Sequence, residues 1–352
     1  MSLIEKTVEK ITPLDTAAMN QAQTRQNNLT KPQGSLGALE ELSIKIAGIT
    51  GKEQPKIESK TIITMAGDHG VTEAGVSAYP KEVTPQMVFN FLHGGAGINV
   101  LARHVGASVV IVDMGVACDM PDDLRLVNHK IGFGTKNMAC GPAMTRKQAI
   151  QSVEAGIYVL EEAVKKGLDI VGTGDMGIGN TTASAAITAT VTGISPFEAT
   201  GRGTGIDSES FERKVKVVEN ALSLNNPDGS DGLDVLAKVG GFEIGGIAGV
   251  IIGAAANKIP VVIDGYISGA AALIAGLIAP RCKDYLIASH LSVERGHKAV
   301  LDHLKLKPIL DLDLRLGEGT GATLAISIAE AACKILSEMA TFEEASVTEK
   351  SA

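Results

Sequence analysis

Short apolar runs rich in Val and Ile punctuate the chain, and each runs into glycine, aspartate or histidine: "KTIITMAGDHG" from Lys60, "ASVVIVDMGV" from Ala107, "LDIVGTGDMG" from Leu168, "IPVVIDG" from Ile259 and "DYLIASH" from Asp284. Continuous apolar runs of this length fit strands buried on both faces, unlike the strict alternation of a half-exposed sheet. Between them lie helix-length stretches at 83–104, 145–166, 209–223, 243–257 and 266–278, and "TTASAAITATV" after Asn180 is helix-like as well. Strands separated by such spacers predict an α/β fold with a parallel sheet and helices on both faces. The first 57 residues hold no strand-like run and read as helical, as does the tail after Gly319. The two ends, 1–57 and 319–352, are expected to pack together as a small helical subdomain beside a catalytic core of 58–318.

In parallel sheets, ligands collect at the carboxyl ends of the strands. Those ends carry Asp68-His69, Asp113, Gly174-Asp175, Asp264-Gly265 and Ser289-His290. A single rim assembled from distant loops is the predicted site.

Composition narrows the partners. The chain has 352 residues, a net charge of -8, no block of Lys or Arg, only 3% aromatics and no Trp. Nucleic acid and anionic membrane surfaces are therefore poor partners. The start, "MSLIEKTVEKITPLD", lacks the apolar core of a signal peptide. The longest apolar run, "GGIAGVIIGAAANKIPVVIDG", is interrupted by Asn257, Lys258 and Pro260 before it could span a bilayer. Cys118, Cys140, Cys282 and Cys333 form no C-x-x-C pair and read as reduced thiols packed inside a cytoplasmic protein.

Several segments could carry chemistry. Gly172, Gly174 and Gly177 fit G-x-G-x-x-G after a strand and before a helix, which admits an NAD-dependent oxidoreductase. A dinucleotide fold also needs an acid at the end of the next strand, about 20 residues on; Glu198 is there, but "GISPFEATG" offers no strand. A phosphate site on this turn, with Asn180 and Thr181 adding donors, fits better. Asp68-His69 invites a metal, yet lacks spaced partner ligands, so no metal is expected. The remaining histidines, His93, His104, His129, His290, His297 and His303, read mostly as surface or packing residues. Lys214 and Lys216, on a helix after "GRGTGID", are either a charge beside a phosphate or a solvated helix face. Lastly, "RLGEGTGATLAISIAEAA" from Arg315 has the glycine loop and apolar helix of an anion site. It nevertheless carries its own carboxylate, Glu318, as a helix cap or as a reactive acid.

Five segments in order resemble one family: "LTKPQGSLGALEEL" (29–42), "AGDHGVTEAGVSAYP" (66–80), "GTGDMGIGNTT" (172–182), "GRGTGID" (201–207) and "LDLDLRLGEGTGA" (310–322). They are similar to the nicotinate-nucleotide–dimethylbenzimidazole phosphoribosyltransferases over nearly the whole chain. The resemblance implies a Rossmann-like core, a helical subdomain from both chain ends, a homodimer and no cofactor. It also implies transfer of the 5-phosphoribosyl group from nicotinate mononucleotide to 5,6-dimethylbenzimidazole or a related lower-ligand base. The products would be α-ribazole 5′-phosphate and nicotinate, in assembly of the cobalamin nucleotide loop. A non-catalytic nucleotide or base carrier of the same fold is the rival. Carried over by motif, Glu318 is the catalytic base; Gly177, Asn180, Lys214, Gly265 and Ser292 hold the ribose phosphate; Ser77, Tyr79, Gln86, Met176 and Leu316 line the benzimidazole pocket. Asp175 stands where the family often has Glu, one methylene longer, which bears on any auxiliary role.

The implied chemistry explains an acid in this loop. Nicotinate leaves the ribose as a neutral base, so no general acid is needed. The attacking benzimidazole acquires an acidic N–H, which one carboxylate can deprotonate. A helix N-terminus would favour ionised Glu318 and an apolar pocket would oppose it.

Overall fold

The computed structural model describes residues 1–120, 123–203 and 205–348; Thr204 of the "GRGTGID" segment and the last four residues of the expected helical tail lie outside the described residues. The predicted strands form as β1 (Lys60–Gly67), β2 (Ser108–Gly115), β4 (Ile170–Met176), β5 (Val261–Ile263) and β6 (Leu286–Ala288), joined by β3 (Leu126–Asn128). The order is β3-β2-β1-β4-β5-β6, and every pairing is parallel. This is the Rossmann-like sheet, whose strand order reverses between β1 and β4 and opens a crevice there. The pattern did not announce β3, which is three residues long at the sheet edge and only half-buried.

Along the chain the helices are α1 (Leu3–Val8), α2 (Thr16–Asn28), α3 (Ala38–Thr50), α4 (Val83–His93), α5 (Gly97–Val105), α6 (Arg146–Lys165) and α7 (Asn180–Thr192). There follow α8 (Pro196–Ala199), α9 (Ser208–Asn225), α10 (Gly232–Val239), α11 (Phe242–Ala256), α12 (Tyr266–Ile278), α13 (His297–Leu304) and α14 (Thr320–Glu338). The single helix expected over 83–104 is two. Gly94 takes φ 78° and its N–H closes α4 onto Asn90 and Phe91, a left-handed stop that favours glycine. Ala96 then starts α5, with the Asn99 side chain accepting its N–H.

Alternate residues of β1 point to opposite faces. Ile63 and Met65 join the cluster under α6, α7, α11 and α12, whereas Ile62 and Ala66 join the one under α3, α4, α5 and α14. The chain ends meet on that second side. Leu29 bridges Thr341, Thr30 and Phe342 exchange backbone bonds with Ala340 and Asn28, and Ala22, Ala47 and Leu336 share a small cluster. The apolar run through 245–265 breaks between α11 and β5, at Asn257, Lys258 and Pro260 as expected. Among the described residues one helix, α14, is apolar and long enough to cross a membrane, but 56% of that stretch is buried inside the fold, which makes it a core helix. Of the four free cysteines, Cys282 and Cys333 are buried as expected; Cys118 and Cys140 are exposed, correcting that reading.

The closest helix crossing joins α6 to α11. A Cβ on Gly156 would collide with the carbonyl of Gly246, and one on Gly249 would lie 2.9 Å from the Gly156 Cα. Glycine is needed here for close approach, not for φ. Gly156→Ala should therefore lower stability by about 2 kcal/mol, overpacking outweighing the helix-propensity gain of about 1 kcal/mol. Urea denaturation tests this; an unchanged or raised midpoint would show that the crossing has slack.

Candidate active site

At the carboxyl ends of β4, β5 and β6 lies a cavity of about 480 Å³. It is where the sheet order predicts one. Of the residues singled out in the sequence, Ser77, Tyr79, Asp175, Met176, Gly177, Asn180, Gly265, Ser292 and Leu316 line it together. Lys214 and Glu318 lie directly behind this wall, on Thr181 and Gly317 respectively. Gln86 does not join them: it is an exposed residue of α4 and forms no part of the wall.

The glycine turn after β4 builds one end. Gly177 packs so tightly on the Gly67 carbonyl that a Cβ has no room, and Gly179 takes φ 98°. The turn opens α7, whose N-terminus has no side-chain cap; the Asn180 and Thr182 N–H groups turn back onto the Gly177 and Gly179 carbonyls, and the helix dipole favours an anion there. Asn180 Nδ2 donates to Asp175 Oδ2 at 2.9 Å. Lys214 reaches in from α9, 1% exposed, and donates from Nζ to Thr181 Oγ1 at 2.8 Å. The solvated-face alternative thus fails for Lys214, which α9 buries beside Val215, Val217 and Val218, but describes exposed Lys216. Loss of solvent pushes the Lys214 amine down to about 8, partly offset by Glu294.

The acid loop builds the other end. Gly317, Glu318 and Gly319 all take positive φ, at 79°, 64° and 98°. For a non-glycine residue that conformation costs about 1–2 kcal/mol. Three contacts hold Glu318 in it: its N–H donates to the Asp175 carbonyl at 3.2 Å, its carbonyl accepts from Thr64 Oγ1 at 3.0 Å, and Gly174 leaves room only by lacking a Cβ. The N–H groups opening α14 do not wait for a ligand. Asp264, just beyond β5, accepts from Gly319 at 3.2 Å and from Ala322 at 3.0 Å. Glu318 instead reaches the start of α5, where Ile98 N–H donates to Oε2 at 3.0 Å. Burial raises the Glu318 carboxyl above its ordinary value, and the Ile98 bond only partly opposes this. Desolvation therefore wins the competition left open by sequence. Asp264 is pushed up to about 7 by burial. Asp175 rises well above the carboxylate range through burial and then the nearby Asp264 charge.

Sequence reasoning gave no role to His290, Glu294 or Tyr266, which also line the cavity; the one signal for His290 was its position just past a strand end. The Asp68–His69 pair is spent on protein contacts: Asp68 accepts from Ala117 N–H at 2.8 Å and His69 pairs with buried Glu243 at 2.6 Å. Among the described residues no three His, Cys, Asp or Glu converge as a metal site. Glu198 caps the short α8 through Ser195 and so stands on a helix, not at the end of the next strand as a dinucleotide ribose would require.

A Rossmann-like sheet with an uncapped helix N-terminus, a buried lysine and a strained acid around one cavity is the layout of an enzyme for phosphorylated nucleotides. A family model described as "Phosphoribosyltransferase" matches residues 11–347. The nicotinate-nucleotide–dimethylbenzimidazole phosphoribosyltransferase of Chloroflexus aggregans is 61% identical over 350 residues, 99% of either chain. Its namesake from Geobacter sulfurreducens is 56% identical over 349 residues, again 99% of each. The crystal structure of CobT from Thermus thermophilus superposes with a TM-score of 0.92 at 45% identity, covering 95% of this chain and all of that one. The chain belongs to this phosphoribosyltransferase family.

The Lys214 amine titrates lower in the fold (about 8) than free (10.5). Its charged form therefore costs stability fully below about pH 8, and the cost fades as pH rises towards 10.5. Lys214→Met should stabilise the ligand-free protein at pH 7 by about 1–3 kcal/mol, with the gap closing by pH 10. Urea denaturation at both pH values checks it; a pH-independent gap would mean that the amine is better solvated than its burial indicates.

Proposed function

We propose that this enzyme moves the 5-phosphoribosyl group of nicotinate mononucleotide onto 5,6-dimethylbenzimidazole or a related lower-ligand base. The products are α-ribazole 5′-phosphate and nicotinate, a step in assembling the nucleotide loop of a cobalamin-type cofactor. The observation that carries the reading is a phosphate-type helix start that opens onto a cavity whose opposite wall, at Gly317, adjoins a desolvated carboxylate, Glu318. The names of the full-length relatives support the substrates.

In this mechanism the phosphate rests on the Gly177–Asn180 turn, Lys214, Gly265 and Ser292, and Ser77, Tyr79, Met176 and Leu316 border the incoming base. One benzimidazole nitrogen attacks C1′ from the face opposite the departing nicotinate, which leaves neutral. The other nitrogen gives its proton to Glu318, whose Oε1 has no partner among the described residues while Ile98 holds Oε2. A carboxyl raised above its ordinary value is, in its ionised form, a stronger base than a solvated one. Asp175, held by Asn180, supports the Glu318 backbone.

The proposal extends to a cytoplasmic homodimer. The cysteines are free thiols, as a reducing compartment keeps them, and Tyr79 and Leu316 present exposed apolar side chains at the cavity. It extends also to a division into a core of 58–318 and a helical unit from 1–57 and 319–352, supported by the Ala22–Ala47–Leu336 contact between the ends.

Incubation with nicotinate mononucleotide and dimethylbenzimidazole should release nicotinate. Binding of both without release would make the protein a carrier instead. Glu318→Gln should lower kcat about 10²–10⁴-fold with KM little changed, since it removes basicity and keeps shape. Because the folded pKa is raised, wild-type kcat/KM should fall with acid along a limb centred above 4.5, and the variant should lack that limb. Retention of both rate and limb would remove Glu318 from the chemistry.

A further inference from the structure

His290 lies two residues beyond β6, is 2% exposed, and lines the cavity. Its proton can be assigned from its neighbour. The Ser289 hydroxyl has one hydrogen and lies 2.8 Å from the Asp264 carbonyl and 2.9 Å from His290 Nδ1. A carbonyl can only accept, so the hydroxyl hydrogen goes to Asp264 and the imidazole must donate through Nδ1–H. Asp264 Oδ1, 4.0 Å from Nδ1, favours a hydrogen on the same nitrogen. Burial lowers the imidazole pKa to about 4, so near neutrality the ring is uncharged and Nε2 carries a lone pair.

That lone pair faces a gap. A Cβ on Gly265 would lie 3.5 Å from Nε2 and 3.9 Å from the Ser292 Cβ, so the glycine leaves open space between the two side chains. No described residue donates to Nε2. On its far edge the ring abuts Gly321, where a Cβ would collide with Nδ1. His290 thus stands between Ser292 and the loop that carries Glu318. A phosphate oxygen cannot be its ligand, because two acceptors repel. A hydroxyl can.

We propose that His290 contacts substrate directly: Nε2 accepts a hydrogen bond from a ribose hydroxyl of the bound nucleotide and so selects ribosyl over deoxyribosyl donors. The inference rests on the proposed function and adds a specificity residue to it. Gly265 and Ser292, which hold the phosphate in the proposed mechanism, flank this acceptor, so it faces the part of the nucleotide next to the phosphate, where the sugar hydroxyls follow.

The test measures kcat/KM for nicotinate release from nicotinate mononucleotide and from its 2′-deoxy and 3′-deoxy analogues. The enzymes are wild type and His290→Asn, whose amide can keep the Ser289 bond while Nε2 is lost. Wild type should lose about tenfold on one deoxy analogue, as expected for one hydrogen bond. His290→Asn should lose about tenfold on the ribosyl donor and nothing further on that analogue, the coupling expected of two groups in contact. His290→Phe, which fills the ring's space without an acceptor, serves if the first variant does not fold. Equal losses on all three donors would assign His290 a structural role and overturn the proposal, as would a wild type indifferent to both hydroxyls. A wild type that released no nicotinate from any donor would instead strike the functional reading, a result distinct from release without discrimination.

Discussion

The carboxylate of Asp264 at the start of α14 is the contact on which the site hangs. It joins the end of β5 to a helix that arrives late in the chain, and it accepts from the N–H groups of Gly319 and Ala322. Whereas the start of α7 carries no side-chain cap, this carboxylate occupies that of α14. It also fixes the residue after Glu318, so the acid must leave the loop in a left-handed conformation and extend to α5. The two glycine loops look alike in sequence but differ in one respect: a carboxylate caps the helix after one, and no side chain caps the helix after the other.

This arrangement crowds carboxylates. Asp175, Asp264 and Glu318 are all buried, with Asp264 and Glu318 acting on Asp175 and Glu318 on Asp264; Lys214, a buried cation, lies behind the same cavity on Thr181. Burial raises all three carboxyls, and neighbouring carboxylate charge raises Asp175 and Asp264 further. The outcome is a site whose acids hold protons more readily and whose lysine releases one more readily than free side chains do. A dianionic phosphate at α7 would favour the charged form of Lys214, so nucleotide binding and lysine protonation are thermodynamically linked.

Much of this was legible because the strands are punctuated. Each core strand is a β-branched run that stops at a polar or glycine residue; the stops after β4, β5 and β6 put Asp175, Gly265 and His290 on the cavity, whereas Asp68, His69 and Asp113, after β1 and β2, bond to protein groups instead. What escaped notice depends on partners distant in sequence. The burial of Lys214 needs Thr181 and the apolar face of α9; the break at Gly94 is invisible to a periodicity that continues beyond it. That break matters, since a continuous helix over 83–104 would offer no free N–H at Ile98 for Glu318. Gln86 was carried by motif alone and faces solvent on α4, and β3 was too short to register. The role of His290 rests on a single hydroxyl proton, which no pattern of letters encodes.

The clasp between the chain ends has a consequence for biogenesis. One face of the sheet, with Ile62, Ile111, Ile170 and Val262, is covered in part by Ala322, Ala325, Ile326 and Ala329 of α14. A ribosome delivers every strand before it delivers that helix. During translation this apolar face is therefore incompletely covered, a state prone to aggregation and suited to chaperone capture. The same order means that nascent chains stopped before residue 318 lack both the proposed base and the cover of the sheet, so partial synthesis leaves no half-active enzyme.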